Sequence, residues 1–143
     1  MAFLIDTSVI VALERRNETD VMRALRNEIG QEQLIALSAI TVSELLVGVH
    51  RAQPESRMRQ REAFVEALID QNPVLDFDLF AARTHARIWA ESLATGQRIP
   101  DRDLLIAATA IANDFTLLSI DASDFSRVPG LKLRIPHSIV PNS

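Results

Sequence analysis

The sequence predicts an α/β fold, a parallel sheet of four or five strands with helices packed on both faces. Short apolar runs alternate along the chain with longer segments of helical periodicity, and these short runs are apolar nearly throughout rather than at every second residue. A strand covered on both faces has no polar side to show, which is the situation of strands in a helix-covered parallel sheet. The 143 residues, 48% hydrophobic and 24% charged, fit one domain (1–143) with one core and exclude a disordered chain.

The elements follow in order. Phe3–Ile5 is short and apolar, a first strand closed by Asp6. Ser8 is positioned to cap a helix through Val9–Arg15. Glu18 or Thr19 opens a second helix, with Val21, Met22, Leu25 and Ile29 at helical spacing and Gly30 as the stop. Gln33–Leu37 reads as the second strand, after which Thr41 caps a helix to about Arg51, ahead of Pro54. Glu55–Gln71 is helical, with Phe64, Leu68 and Ile69 set among charges, and Val74–Phe77 is the third strand. Asp78–Thr95 is a helix carrying Leu79, Phe80, Ala86 and Trp89 and ended by Gly96; Asp101–Asn113 is a strongly apolar helix. Thr116–Ser119 is the fourth strand, and Leu131–Ile135 is the fifth, after the Pro129–Gly130 turn. The tail Pro141–Ser143 is expected to fray.

Composition narrows the chemistry. There is no cysteine, which excludes disulfides, thiolate catalysis and thiolate zinc sites. The first residues, MAFLIDTSVIV, carry Asp6 inside the apolar run and no basic leader, so neither a signal peptide nor a membrane span is expected there, and a cytoplasmic protein is. The 15 basic residues fall short of the 19 acidic ones, a net charge of −4, so binding of a polyanion needs a local basic patch. All the basic residues except Lys132 are arginine, whose planar fork suits phosphate and whose face stacks on bases; a GC-rich genome would give the same bias.

In an open parallel sheet, ligands bind beyond the carboxyl ends of the strands. Acidic residues recur at those ends. Asp6 follows the first strand; Glu44 lies in the first turn after the second; Asp101 and Asp103 open the helix leading into the fourth strand; Asp121 and Asp124 come directly after it. Each also has a plain structural role open to it. Asp6 can bond the backbone of its own turn, Thr41-Val42-Ser43-Glu44 matches a capping box, Asp101 and Asp103 suit a helix N-terminus, and Asp121 and Asp124 suit a turn. Brought together, such carboxylates repel unless a cation neutralises them. An all-oxygen donor set without clustered histidine points to Mg²⁺ or Mn²⁺ rather than zinc. His50, His85 and His137 are scattered and read as surface or packing residues.

Four blocks, LIDTSV (Leu4–Val9), ITVSELLVG (Ile40–Gly48), IPDRDLLIAATA (Ile99–Ala110) and LLSIDASDFSRVPGL (Leu117–Leu131), resemble the motif blocks of PIN-domain ribonucleases, and more narrowly the VapC-type toxins of bacterial toxin–antitoxin pairs. The resemblance covers essentially the whole chain. It implies a three-layer α/β/α sandwich around a mostly parallel sheet, a metal-dependent ribonuclease activity, and Asp6, Glu44, Asp103 and Asp121 as Mg²⁺ or Mn²⁺ ligands, with Ser119 or Thr7 orienting a water or a carboxylate. Asp124 is the alternative to Asp121, and Asp101 a neighbour or a helix cap. It further implies a homodimer and a cognate antitoxin that lays a segment along a groove of the toxin. Arg15, Arg16, Arg51, Arg57, Arg59 and Arg61 are candidates for RNA placement, or a solvated face; Val42, Leu45, Leu46 and Val49 serve the core before any partner. Two other functions fit parts of the pattern: a PIN-like module that binds RNA or protein without cleaving, and a phosphoryl-handling α/β domain. The second lacks the second aspartate of the phosphatase pattern, since Ser8 stands there.

Overall fold

The computed structural model describes residues 1–18 and 20–139. The chain runs β1 (Ala2–Ile5), α1 (Thr7–Arg15), α2 (Val21–Ile29), β2 (Leu34–Ser38), α3 (Ala39–Arg51), α4 (Glu55–Gln71), β3 (Val74–Leu75), α5 (Leu79–Ala94), α6 (Asp101–Ala112), β4 (Thr116–Leu118), α7 (Ala122–Phe125) and β5 (Leu133–Arg134). The five strands form one sheet in the order β3-β2-β1-β4-β5, and every pairing is parallel.

Strand periodicity sorts the core into two layers. Phe3 and Ile5 of β1 join Ile35, Leu37 and Leu118 in a cluster with side chains of α1, α2, α3 and α4. Leu4 points the other way and joins Ala36 and Leu117 in a cluster with Ile88 of α5, Leu104, Ile106 and Ala107 of α6, and Phe125 of α7. The sheet is therefore covered on both faces, which is why its strands carry no polar alternation. Deleting a side chain from its middle, as in Leu4→Ala, costs about 2–5 kcal/mol. The small residues of α6, Ala107, Ala108 and Ala110, are all fully buried, which lets this helix pass close under its neighbours.

The boundaries differ from the sequence reading where local hydrogen bonding decides them. Asp6, not Ser8, is the N-cap residue of α1, and Ser8 lies inside the helix. Asp20 caps α2 by accepting from the Arg23 N–H, displacing Glu18 from that role; Thr19 lies outside the described residues. Ser38 caps α3, its Oγ accepting from the Thr41 N–H at 3.0 Å, so Thr41 is a buried residue of the first turn and not the cap. The strand β2 runs one residue later than expected, β3 stops at Leu75, and β4 and β5 are shorter than their apolar runs. The short helix α7 falls in a stretch left without an assignment by periodicity. Gly30 ends α2 with φ +112°, a conformation that side chains rarely adopt. Pro141–Ser143 lie outside the described residues.

Leu79, Phe80 and Trp89 of α5 are exposed, the helix burying Ala81, Ile88 and Ser92 instead. Leu45 and Val49 are buried and Val42 and Leu46 pack against the same cluster, so all four serve the core.

Candidate active site

Strand order reverses at β1: the chain goes from β1 to β2 on one side, and β4 and β5 lie on the other. The carboxyl ends of β1 and β4 therefore form the crevice in which such sheets place ligands. The register sets Ile5 beside Leu118, so the next residues, Asp6 and Ser119, meet at its floor. The Ser119 hydroxyl donates to Asp6 Oδ2 at 2.8 Å, and the Ser8 hydroxyl donates to the same oxygen at 2.6 Å. Ser119 is fully buried, Asp6 is only 5% exposed, and the Asp121 N–H donates to Ser119 Oγ. Asp6 does not bond the α1 N-terminus through its side chain; its carboxylate is held by two hydroxyls instead.

Glu44 is placed from a second direction. The capping box that its spacing suggested is not formed, because Ser38 caps the helix. Glu44 Oε1 instead lies 3.0 Å from the Thr7 hydroxyl, which is also 3.1 Å from the Thr41 hydroxyl; Ser38 Oγ lies 3.2 Å from Thr41. Thr7 has one proton, and the carboxylate can only accept, so that proton serves Glu44 and Thr41 donates to Thr7. The result is a hydroxyl chain, Ser38 to Thr41 to Thr7 to Glu44, whose inner members Ser38 and Thr41 are fully buried. The sequence makes Thr41 a cap; its second role rests on Thr7, 34 residues away, and local spacing carries no signal for it.

The remaining acids come from α6 and the β4–α7 turn. Asp103, Asp121 and Asp124 each offer a carboxylate oxygen within 4.8 Å of the others. At that separation a pair of like charges repels by roughly 3 kcal/mol at an effective dielectric near 20. Burial raises the Asp103 carboxyl to a pKa of about 7, with further upward contributions from Asp6, Asp121, Asp124 and Glu44. Four carboxylates from other parts of the chain thus act on Asp103 electrostatically. The structure brings Asp124 to the same place as Asp121, and Arg127 hydrogen-bonds Asp124. Asp101 is exposed and lines the same cleft, of ≈ 320 Å³, together with Glu44, Arg102, Asp103, Asp121 and Asp124.

A larger groove of ≈ 1120 Å³ shares Glu44 with this cleft. Arg15, Arg51, Arg57 and Arg61 line it, with Val47 and Phe64 between them; Arg16 and Arg59 do not. Arg61 is already paired, its Nη1 lying 2.5 Å from Glu14 Oε1, and Arg59 bonds Glu55 on its own helix. His85 meets Phe77 edge to face and Trp89 at a tilt, His50 and His137 are exposed, and none of the three lines the acid cleft.

The PIN domain profile matches residues 3–131, across all of these elements up to the turn before β5. The chain belongs to the PIN domain family. Among its relatives, Ribonuclease VapC1 of Rickettsia felis is 35% identical over 133 residues, covering 93% of this chain and 95% of that protein. The crystal structure of DNA-bound VapBC from Salmonella typhimurium superposes with a TM-score of 0.82 at 25% identity, over 94% of this chain and 98% of the other. That of VapBC-5 from Mycobacterium tuberculosis, a member of the VapBC family of toxin–antitoxin systems, gives 0.71 at 31% identity, over 94% and 96%. The all-parallel, helix-covered sheet is therefore the PIN domain fold.

Proposed function

We propose that this PIN domain is a divalent-metal-dependent endoribonuclease, the toxin of a type II toxin–antitoxin system. The observation that carries the reading is the meeting of Asp103, Asp121 and Asp124 oxygens within 4.8 Å, with Asp6 and Glu44 acting on Asp103, at the reversal point of the sheet. The relatives support it by their names: ribonucleases on the one hand, toxin–antitoxin complexes on the other.

The donor set fits Mg²⁺ or Mn²⁺, being all oxygen, and burial, followed by the neighbouring carboxylates, raises Asp103 to about 7, a charge penalty that a bound cation would relieve. Asp6, Glu44, Asp103 and Asp121 would hold the ion. Asp121 is preferred over Asp124 because the latter is already engaged by Arg127. When bound, the ion lowers the pKa of a water and shields the phosphate oxygens for in-line hydrolysis of an RNA phosphodiester bond. The chain's own residues supply the rest. Ser119 and Ser8 fix the Asp6 carboxylate, and Thr7 fixes Glu44, so that two acids keep their orientation without a cation. Asp103 would have to be deprotonated to serve as a ligand, and one of the acids would accept the proton of the attacking water. Arg15, Arg51 and Arg57 place the strand along the groove that shares Glu44 with the cleft.

A cognate antitoxin would hold this activity in check, with the protein acting as a cytoplasmic homodimer. Support for the dimer comes from α5: Leu79, Phe80, Trp89 and Leu93, exposed by 47–75%, are four of the seven large hydrophobic residues exposed among the described residues. No helix of the described residues is long and apolar enough to cross a membrane.

The test is cleavage of RNA by the purified protein. EDTA should abolish it, and Asp6→Asn or Asp103→Asn should lower it by orders of magnitude with folding intact. Cleavage that persists in metal-free buffer rules the mechanism out, and a wild-type rate in Asp103→Asn removes that residue from the site.

A further inference from the structure

The one cation that lines the acid cleft among the described residues has no part in the mechanism above. Arg102 stands in the first turn of α6 between Asp101 and Asp103. Its Nη1 lies 3.7 Å from Glu44 Oε2, beyond hydrogen-bonding range, and its side chain is 74% exposed. Neither the pair nor the helix accounts for its position. An exposed ion pair of this length is worth about 0–1 kcal/mol. A cation at a helix N-terminus opposes the backbone dipole and disfavours the helix by a similar amount.

We propose that Arg102 is a substrate-positioning residue that binds a phosphate of the RNA strand next to the scissile bond; this rests on the ribonuclease reading. An acid-lined cleft repels a polyanion, and a fixed positive charge at its mouth, on the same turn as Asp103, offsets that repulsion where the strand enters. The guanidinium fork matches two phosphate oxygens at once, which a carboxylate at 3.7 Å does not use. Contact with Glu44 is its resting position. Once Glu44 is engaged by a cation, Arg102 loses that attraction and is free for phosphate. The exposed side chain needs no backbone movement to make the exchange.

Binding of a short labelled single-stranded RNA, followed by fluorescence anisotropy over a range of KCl, tests this in the full chain carrying Asp103→Asn, so that RNA is not consumed. Adding Arg102→Gln should weaken binding about fivefold at low salt, and should lower the slope of log Kd against log salt by about 0.7, one phosphate contact on a single strand. Arg102→Lys should restore the slope but only part of the affinity. In the background that keeps Asp103, Arg102→Gln should bind Mn²⁺ at least as tightly as the wild type by calorimetry, since a competitor for Glu44 has been removed. An unchanged Kd and slope overturns the proposal, and so does loss of Mn²⁺ binding in Arg102→Gln, which would make Arg102 a support for the acids. Absence of any RNA cleavage by the wild-type chain in Mn²⁺ overturns the ribonuclease reading, and this proposal with it.

Discussion

At the scale of single residues, hydroxyls decide where the carboxylates point. Ser119 is fully buried against Asp6, and Thr41 is fully buried behind Thr7 and Glu44. Thr41→Val keeps the shape but ends the hydroxyl chain, leaving Ser38 Oγ without its Thr41 hydroxyl neighbour; a stability loss of about 1–2 kcal/mol in urea denaturation is expected. Asp103 behaves differently. Its folded pKa, about 7, lies above the unfolded value, so the native state binds the extra proton between about pH 4 and pH 7. This group's contribution to stability therefore falls as pH rises through that window. In metal-free buffer Asp103→Asn should be more stable than the wild type at pH 8, and the difference should vanish by pH 4; melting temperatures measured across that range read it directly. Asp6 and Glu44 were legible as candidates because they follow a strand's carboxyl end directly or in the helix beyond it, and Asp103 because it opens the helix that leads into the fourth strand, positions that sequence order reveals. The roles of Thr41 and Arg102 were not, because they depend on which side chains meet across elements 34 or more residues apart.

At the scale of elements, α3 and α4 show how tightly the groove beside the site is built. A Cβ added at Gly48 would stand 2.7 Å from Arg61 Nε and 2.8 Å from Nη2, with Nε itself buried and without a hydrogen-bond partner. Gly48 is thus the gap through which Arg61 reaches Glu14 of α1. Gly48→Ala should displace the guanidinium from that pair, and the loss should offset the helix-propensity gain of about 0.5–1 kcal/mol; in an Arg61→Ala background, where nothing needs to move, the same substitution should show that gain in full in a double-mutant cycle. Strand existence and order along the chain were readable from apolar runs. Their ends were not: a parallel strand ends where its neighbour stops pairing, and β3, reduced to Val74–Leu75 against Leu37–Ser38, shows this. Caps were misplaced for a related reason. Ser38, Thr41 and Ser43 are all suitable cap residues, and only the turn geometry selects Ser38.

At the scale of the whole molecule, the parallel sheet turns sequence distance into proximity. Asp6 and Ser119 are 113 residues apart, and pairing of β1 with β4 joins them. The proposed homodimer belongs to the same scale. Replacing Trp89 and Leu93 of α5 with glutamate should convert a dimer to a monomer in sedimentation equilibrium; an unchanged mass would move the interface elsewhere. Charge reversal at Arg57 should weaken RNA binding at low salt and flatten its salt dependence, while reversal at Arg59, which lies outside the groove, should not. That contrast was invisible in the sequence, where both arginines belong to one cluster around Pro54. If acids from separate elements share one divalent ion, anomalous diffraction from crystals soaked in Mn²⁺ should show a peak in contact, directly or through water, with Asp6, Asp103 and Asp121; a peak bound elsewhere, or none at saturating Mn²⁺, would rule the shared ion out.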